Sequence, residues 1–202
     1  IPIVVSSCPQ LPSRVAPILE RSARSPLPEL KERLDSLLAA GARCIVMPCN
    51  TAHHWHAELA AAARPIPFPH IADAAMDELA RRTIGGPIGL LATEGTVKSG
   101  FYQKRLAARG FGCILPTEND VRTLVLPGIA LVKANRLAEA AALFRAAIER
   151  LKAETGVVIL GCTEIPAAFP AGDPWLSAHC VDANEALARA TVARARAARA
   201  SI

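Results

Sequence analysis

Short unbroken aliphatic runs alternate along this chain with longer stretches in which apolar residues recur every three or four positions. Runs at 1–5, 43–47, 67–70, 86–92, 111–115 and 157–160 are predicted strands. Continuous Val, Ile and Leu without polar alternation is what a parallel strand covered on both faces requires. Helices are predicted over about 27–40, 52–64, 72–82, 96–109, 136–154 and 183–200. Pro26 and Pro28 mark the start of the helix before Cys44, and Asp73 and Thr96 suit first helical turns. Strands alternating with helices of this length are βαβ units, so the fold class is α/β. Arg82–Pro87 carries two glycines and a proline between periodic segments and is the expected joint between two similar halves. The first domain is expected to span 1–83 plus 178–202, its last helix packing back, and the second 84–177. No low-complexity linker separates them, so the cleft between them is expected to be rigid.

Two of the runs end in a cysteine turn. Cys44-Ile45-Val46-Met47 leads into Pro48-Cys49-Asn50-Thr51, and Val157-Val158-Ile159-Leu160 leads into Gly161-Cys162-Thr163-Glu164. Each cysteine therefore stands where a strand turns towards a helix, the place at which open α/β sheets bind ligands. Helix N-termini favour thiolates, and the neighbouring N–H groups and small polar side chains suit a carboxylate beside the sulfur. Two thiols on opposite faces of one carbon form a two-base arrangement: one removes a proton and the other returns one, inverting the centre.

Composition narrows the reading. The chain has 202 residues, 51% of them apolar and 4% aromatic, so its core is built from Ala, Leu, Ile and Val. The net charge of +5 is spread out; its densest group is Arg189, Arg194, Arg196 and Arg199 in the last helix. Without aromatic interleaving that group reads as a solvated face, not a nucleic-acid surface, and a positive bias also suits a small anionic substrate. No apolar stretch approaches the ~20 residues that span a membrane. Six cysteines, at 8, 44, 49, 113, 162 and 180, have no framework spacing and read as reduced thiols of a cytoplasmic protein. Cys8, Cys44, Cys113 and Cys180 fit as small hydrophobes. Cys49, His53 and His56 share one helix, but one turn of helix without a second cluster is a poor metal site, so no metal is expected. The chain opens at Ile1, within a strand pattern and without methionine, so a preceding segment is expected.

The segments Met47–His53 and Ile159–Pro166 resemble the two catalytic signatures of the aspartate/glutamate racemase superfamily. Ser6–Leu19 resembles its serine- and proline-containing loop, with Arg14. His70–Asp73 resembles its strand-to-helix junction, Leu90–Thr96 with Ser99–Tyr102 the opening of its second domain, and Val132-Lys133 its substrate-binding lysine segment. The resemblance covers essentially the whole chain. It implies two flavodoxin-like domains with the active site between them, and a cofactor-independent amino-acid racemase acting through Cys49 and Cys162. Asn50, Thr51, Thr93, Thr96 and Thr163 would line the substrate site, and Arg14 and Lys133 would meet substrate carboxylates. Glu164 would face the ammonium or orient a neighbour, and its place after Cys162-Thr163, where glutamate racemases carry histidine, indicates the aspartate branch. A homodimer and a Gly-rich turn ahead of Ile1 are implied in the same way. Hydantoin racemases, maleate isomerases and arylmalonate decarboxylases resemble the chain too. A non-catalytic protein binding an acidic metabolite is the remaining alternative.

Overall fold

The computed structural model describes residues 1–82 and 84–200, with side chains to Ala198; Thr83 of the predicted joint and the Arg199 side chain lie outside the described residues. Helices α1 (Ala16–Leu19), α2 (Leu27–Ala39), α3 (His56–Ala62) and α4 (Ile71–Ala80) precede the first strand, with a 3-10 turn, Thr51–Trp55, before α3. There follow β1 (Ile88–Ala92), α5 (Glu94–Ser99), α6 (Phe101–Ala107), β2 (Cys113–Ile114), α7 (Glu118–Asp120), a π turn (Val121–Val125), α8 (Leu126–Lys133) and α9 (Leu137–Lys152). The chain closes with β3 (Val157–Gly161), α10 (Glu164–Ala167), α11 (Pro174–His179), β4 (Cys180–Asp182) and α12 (Ala183–Ala200).

The four strands form one all-parallel sheet in the order β2-β1-β3-β4, the order of a flavodoxin-like sheet. Both central strands are buried along their whole length, as their unbroken aliphatic runs require. Side chains alternate between two cores. Ile88, Leu90 and Ile159 face Ile71, Met76 and Leu79 of α4, Tyr102 and Leu106 of α6 and Leu187 of α12. Leu91, Val158 and Leu160 face Phe144 and Ile148 of α9 and Leu124 and Val125 of the π turn. Cys180–Asp182, in the segment expected to belong to the first domain, thus supply β4 to this sheet, and α12 lies against α4. The predicted 96–109 helix is two helices, because Gly100 takes φ 71 and ends α5 in a left-handed cap.

The strands expected at 1–5, 43–47 and 67–70 do not form. Residues 1–5 carry no regular structure and lie in the open, with Ile3 and Val5 each 80% exposed. The other two segments lie side by side, and Ile45 N–H donates to the Pro67 carbonyl at 2.9 Å. A parallel ladder would next need residue 69 to donate to the Ile45 carbonyl, but residue 69 is proline and has no N–H. The Cys44 thiol approaches that carbonyl instead, at 3.8 Å. One backbone bond is not a ladder. What holds this part is a small core of Leu34 from α2, Ile45, Trp55, and Leu59 and Ala63 around α3.

Candidate active site

The sheet fixes half of the site. β1 and β3 pair with Ala92 opposite Gly161, so Thr93 and Cys162 are the first residues beyond two adjacent parallel strands. Thr93 is the N-cap of α5, its hydroxyl accepting from the Thr96 N–H at 3.4 Å. Cys162 is 4% exposed and opens into Thr163 and α10.

The Cys49 turn is brought to the same sheet end by side chains. Cys49 N–H donates to the Met47 carbonyl at 2.8 Å, a tight turn that hands the chain to Asn50 and the 3-10 turn. The Thr51 hydroxyl bonds those of Thr93 and Thr96 at 2.9 Å each, and these two bond each other at 3.0 Å. Asn50, 3% exposed, accepts from the Tyr102 phenol at 2.6 Å, while its Nδ2 has no partner. His54 meets Ser99 at 3.1 Å. Cys49 is half-buried, and because Thr51 bonds Thr93 beside the end of β3, both cysteine turns stand at one end of the sheet.

Electrostatics distinguish Cys162. Burial pushes its pKa far above the ordinary thiol value, and the carboxylate of Glu164, whose Oε2 is 3.1 Å from the sulfur, pushes it further. Burial pulls Glu164 upward, but hydrogen bonds from Cys162 and from Thr163 at 2.8 Å, with the attraction of Lys133, leave its pKa below normal. Both shifts keep the shared proton on sulfur, so Cys162 stands as a neutral thiol donating to a carboxylate.

Two expected residues stand apart. Arg14 donates to the carbonyls of its own loop, Leu11 at 3.3 Å and Pro12 at 3.0 Å, although adjacent Val15 packs on Gly95 of α5. Lys133 is exposed at the end of α8, with its charge helping to lower Glu164.

Sequence reasoning left Tyr102 and His53 without roles. Tyr102 lies in a segment already singled out, and a buried phenol always raises the question of its partner. His53 Nδ1 bonds the Cys49 carbonyl at 2.9 Å, and its ring packs with those of His56 and His70 at 5.5 and 4.7 Å. Among the described residues no group of three or more His, Cys, Asp or Glu is placed to hold a metal ion. No helix among them is long and apolar enough to cross a membrane.

Comparison with known proteins gives these features a context. A family model described as Asp/Glu/Hydantoin racemase matches residues 1–191. The broad specificity amino-acid racemase RacX of Bacillus subtilis (strain 168) is 27% identical over 157 residues, covering 75% of this chain and 64% of its own length. A glutamate racemase of Pseudomonas aeruginosa is 34% identical over 189 residues, covering 86% of this chain and 65% of its own. The chain thus spans just under two thirds of these two relatives. Among solved structures, Picrophilus torridus aspartate racemase superposes with a TM-score of 0.81 at 26% identity, over 95% of this chain and 78% of that one. Francisella tularensis glutamate racemase, in complex with D-glutamate, gives a TM-score of 0.68 at 13% identity over 96% and 69% of the two chains, a likeness of fold alone. The α/β architecture with its parallel sheet, and its arrangement in two parts, agree with these structures.

Proposed function

Because the chain belongs to the Asp/Glu/Hydantoin racemase family, we propose that it is a cofactor-independent amino-acid racemase whose two acid/base groups are Cys49 and Cys162. The observation that carries this reading is the Cys162–Glu164 contact of 3.1 Å at the end of β3, with the Cys49 turn bonded to the neighbouring strand end through Thr51 and Thr93. With its proton held on sulfur, Cys162 is the group that gives a proton, which leaves abstraction to the Cys49 thiolate. That thiolate takes the α-hydrogen as a proton and becomes a thiol. The C–H electron pair remains on the α-carbon and spreads into the carboxylate. Cys162 then delivers its proton to the opposite face, leaving a thiolate and an inverted centre, and the two sulfurs regain their starting states by exchange with solvent. The developing carboxylate charge needs preorganised donors. Asn50 Nδ2, Thr51 and Thr163 are the groups assigned to it, with Thr93 and Thr96 holding Thr51 in place.

Aspartate is the proposed substrate, supported by Glu164 after Cys162-Thr163 and by the TM-score of 0.81 with an aspartate racemase. Arg14 would grip a substrate carboxylate bidentately after releasing the Leu11 and Pro12 carbonyls, and Lys133 would add long-range attraction. The substrate would lie between the part within 1–83 that carries Cys49 and the part within 84–177 that carries Cys162. The family resemblance also supports a homodimer in the cytoplasm. The test is to follow the α-proton of L-aspartate, L-glutamate and neutral amino acids by NMR in deuterated water. Fastest exchange with aspartate, abolished by Cys49→Ala and by Cys162→Ala, is expected. Faster exchange of another amino acid overturns the substrate, and tight aspartate binding without exchange turns the protein into a binding module.

A further inference from the structure

One side chain touches both cysteine turns. Tyr102, on α6, is fully buried, and its phenol donates to the Oδ1 of Asn50, the residue after Cys49. Its ring lies against Gly161, the residue before Cys162: a Cβ at that position would come within 3.5 Å of Tyr102 Cε2. Phe101, at 5.0 Å between ring centroids, and the core of α4 and β1 hold the ring in place. The phenol is thus a fixed point that ties the Asn50 turn to the strand end bearing Cys162.

The direction of that bond matters. An amide can present either its oxygen or its NH2 to a hydroxyl, and the choice decides what the other end offers. The Asn50 oxygen is occupied at 2.6 Å, while Nδ2 is buried with no protein partner. A buried amide NH2 left unpaired is destabilising, and an anionic ligand accepting from it would remove that cost. Were the amide turned over, its oxygen would oppose a carboxylate.

We propose that Tyr102 is a positioning residue: its O–H locks the Asn50 amide with the NH2 towards the substrate carboxylate, and its ring ties that amide to the strand end bearing Cys162. The proposal rests on the racemase reading for its substrate, but not for the bond itself. Freed from the phenol, Asn50 offers donor and acceptor about equally, so recognition of the carboxylate suffers more than the thiol chemistry.

Tyr102→Phe keeps the ring and removes only the oxygen. With the amino acid that exchanges fastest, KM is expected to rise about tenfold, the equivalent of about 1.4 kcal/mol, with a smaller change in kcat. In an Asn50→Ala background the same substitution is expected to add nothing to KM, because the residue it positions is gone. An unchanged KM, or equal losses in both backgrounds, assigns Tyr102 to the core alone and overturns the proposal. The chain has a single tyrosine, so the tyrosine Fermi-doublet ratio in ultraviolet resonance Raman spectra reports this phenol directly. A donor signature in the unsubstituted protein that is lost in Asn50→Ala supports the bond even if Tyr102→Phe fails to fold; a ratio indifferent to Asn50→Ala refutes it. If no amino acid exchanges at all, the racemase reading falls while the Raman ratio still decides the bond.

Discussion

Acid should destabilise this protein through three histidines before most of its carboxylates titrate. His53 is 2% exposed and His70 7%, and their rings meet each other and that of His56, at 4.6 Å between His56 and His70. Burial lowers His53 from the ordinary 6.5 to about 4, although its bond to the Cys49 carbonyl works the other way. His70 falls to about 2, through burial first and then through the neighbouring His53 and Arg105. His56 is lowered too, mainly by burial, against its bond to the Phe68 carbonyl and the nearby Asp73. Geometry agrees with these directions. His70 Nδ1 caps α4 by accepting from the Ala72 N–H at 3.1 Å and cannot do so protonated, and His53 Nε2 is buried without a well-formed hydrogen bond. The unfolded chain therefore takes up protons first. The stabilisation is complete above about pH 6.5 and is lost as pH falls towards the folded values. Between pH 7 and 5 each of His53 and His70 removes about 2 kcal/mol, about 4 kcal/mol together, with His56 adding in the same direction. Against a typical domain stability of about 5–15 kcal/mol that is a large share. Urea unfolding followed by circular dichroism at pH 7, 6 and 5 reads it as a falling midpoint. His70→Asn keeps an N-cap but cannot titrate, so it should lose about 2 kcal/mol less over the same interval. Equal stability at pH 7 and 5, or an undiminished loss in His70→Asn, would refute the reasoning.

Two further expectations concern the Cys162 strand end. Glu164→Gln removes the anion that helps to hold the proton on Cys162, so the alkaline limb of the pH–rate profile for α-proton exchange should move to lower pH; an unmoved limb argues that Glu164 does not act on this sulfur. Gly161→Ala would place a Cβ 2.9 Å from the Ala92 Cβ and 3.1 Å from Leu90 Cδ1, between paired strands with little freedom to give. A loss of about 1–3 kcal/mol in urea unfolding is expected, and a variant of unchanged stability would show that the sheet relaxes there.

The legible parts of the chain were those where local pattern and tertiary demand coincide. The runs before Thr93 and Cys162 could be read because a strand buried on both faces excludes polar residues. Helices 27–40, 136–154 and 183–200 could be read because their apolar stripes face a core. β4 was invisible because three residues, Cys180–Asp182, carry no periodicity. The helical stretch 118–133 was missed because its polar start and its π turn break the stripe. At the site, the chemistry of the cysteine turns is local and was readable. The pairings Asn50–Tyr102 and Thr51–Thr96 span 52 and 45 residues, and only the fold sets such distances.

Pro69 has a consequence for encounters between molecules. A pair of extended segments with an open edge is a template on which another chain can lay a strand. Here the donor that would extend the ladder towards Ile45 is missing, and on the other side the Phe68 carbonyl is already taken by His56 Nε2 at 2.8 Å. An incoming strand would find neither edge of residues 67–69 free to continue a ladder. The proline keeps this part of the chain from becoming a sheet, and His56 occupies the carbonyl through which its outer edge would seed one with a second copy.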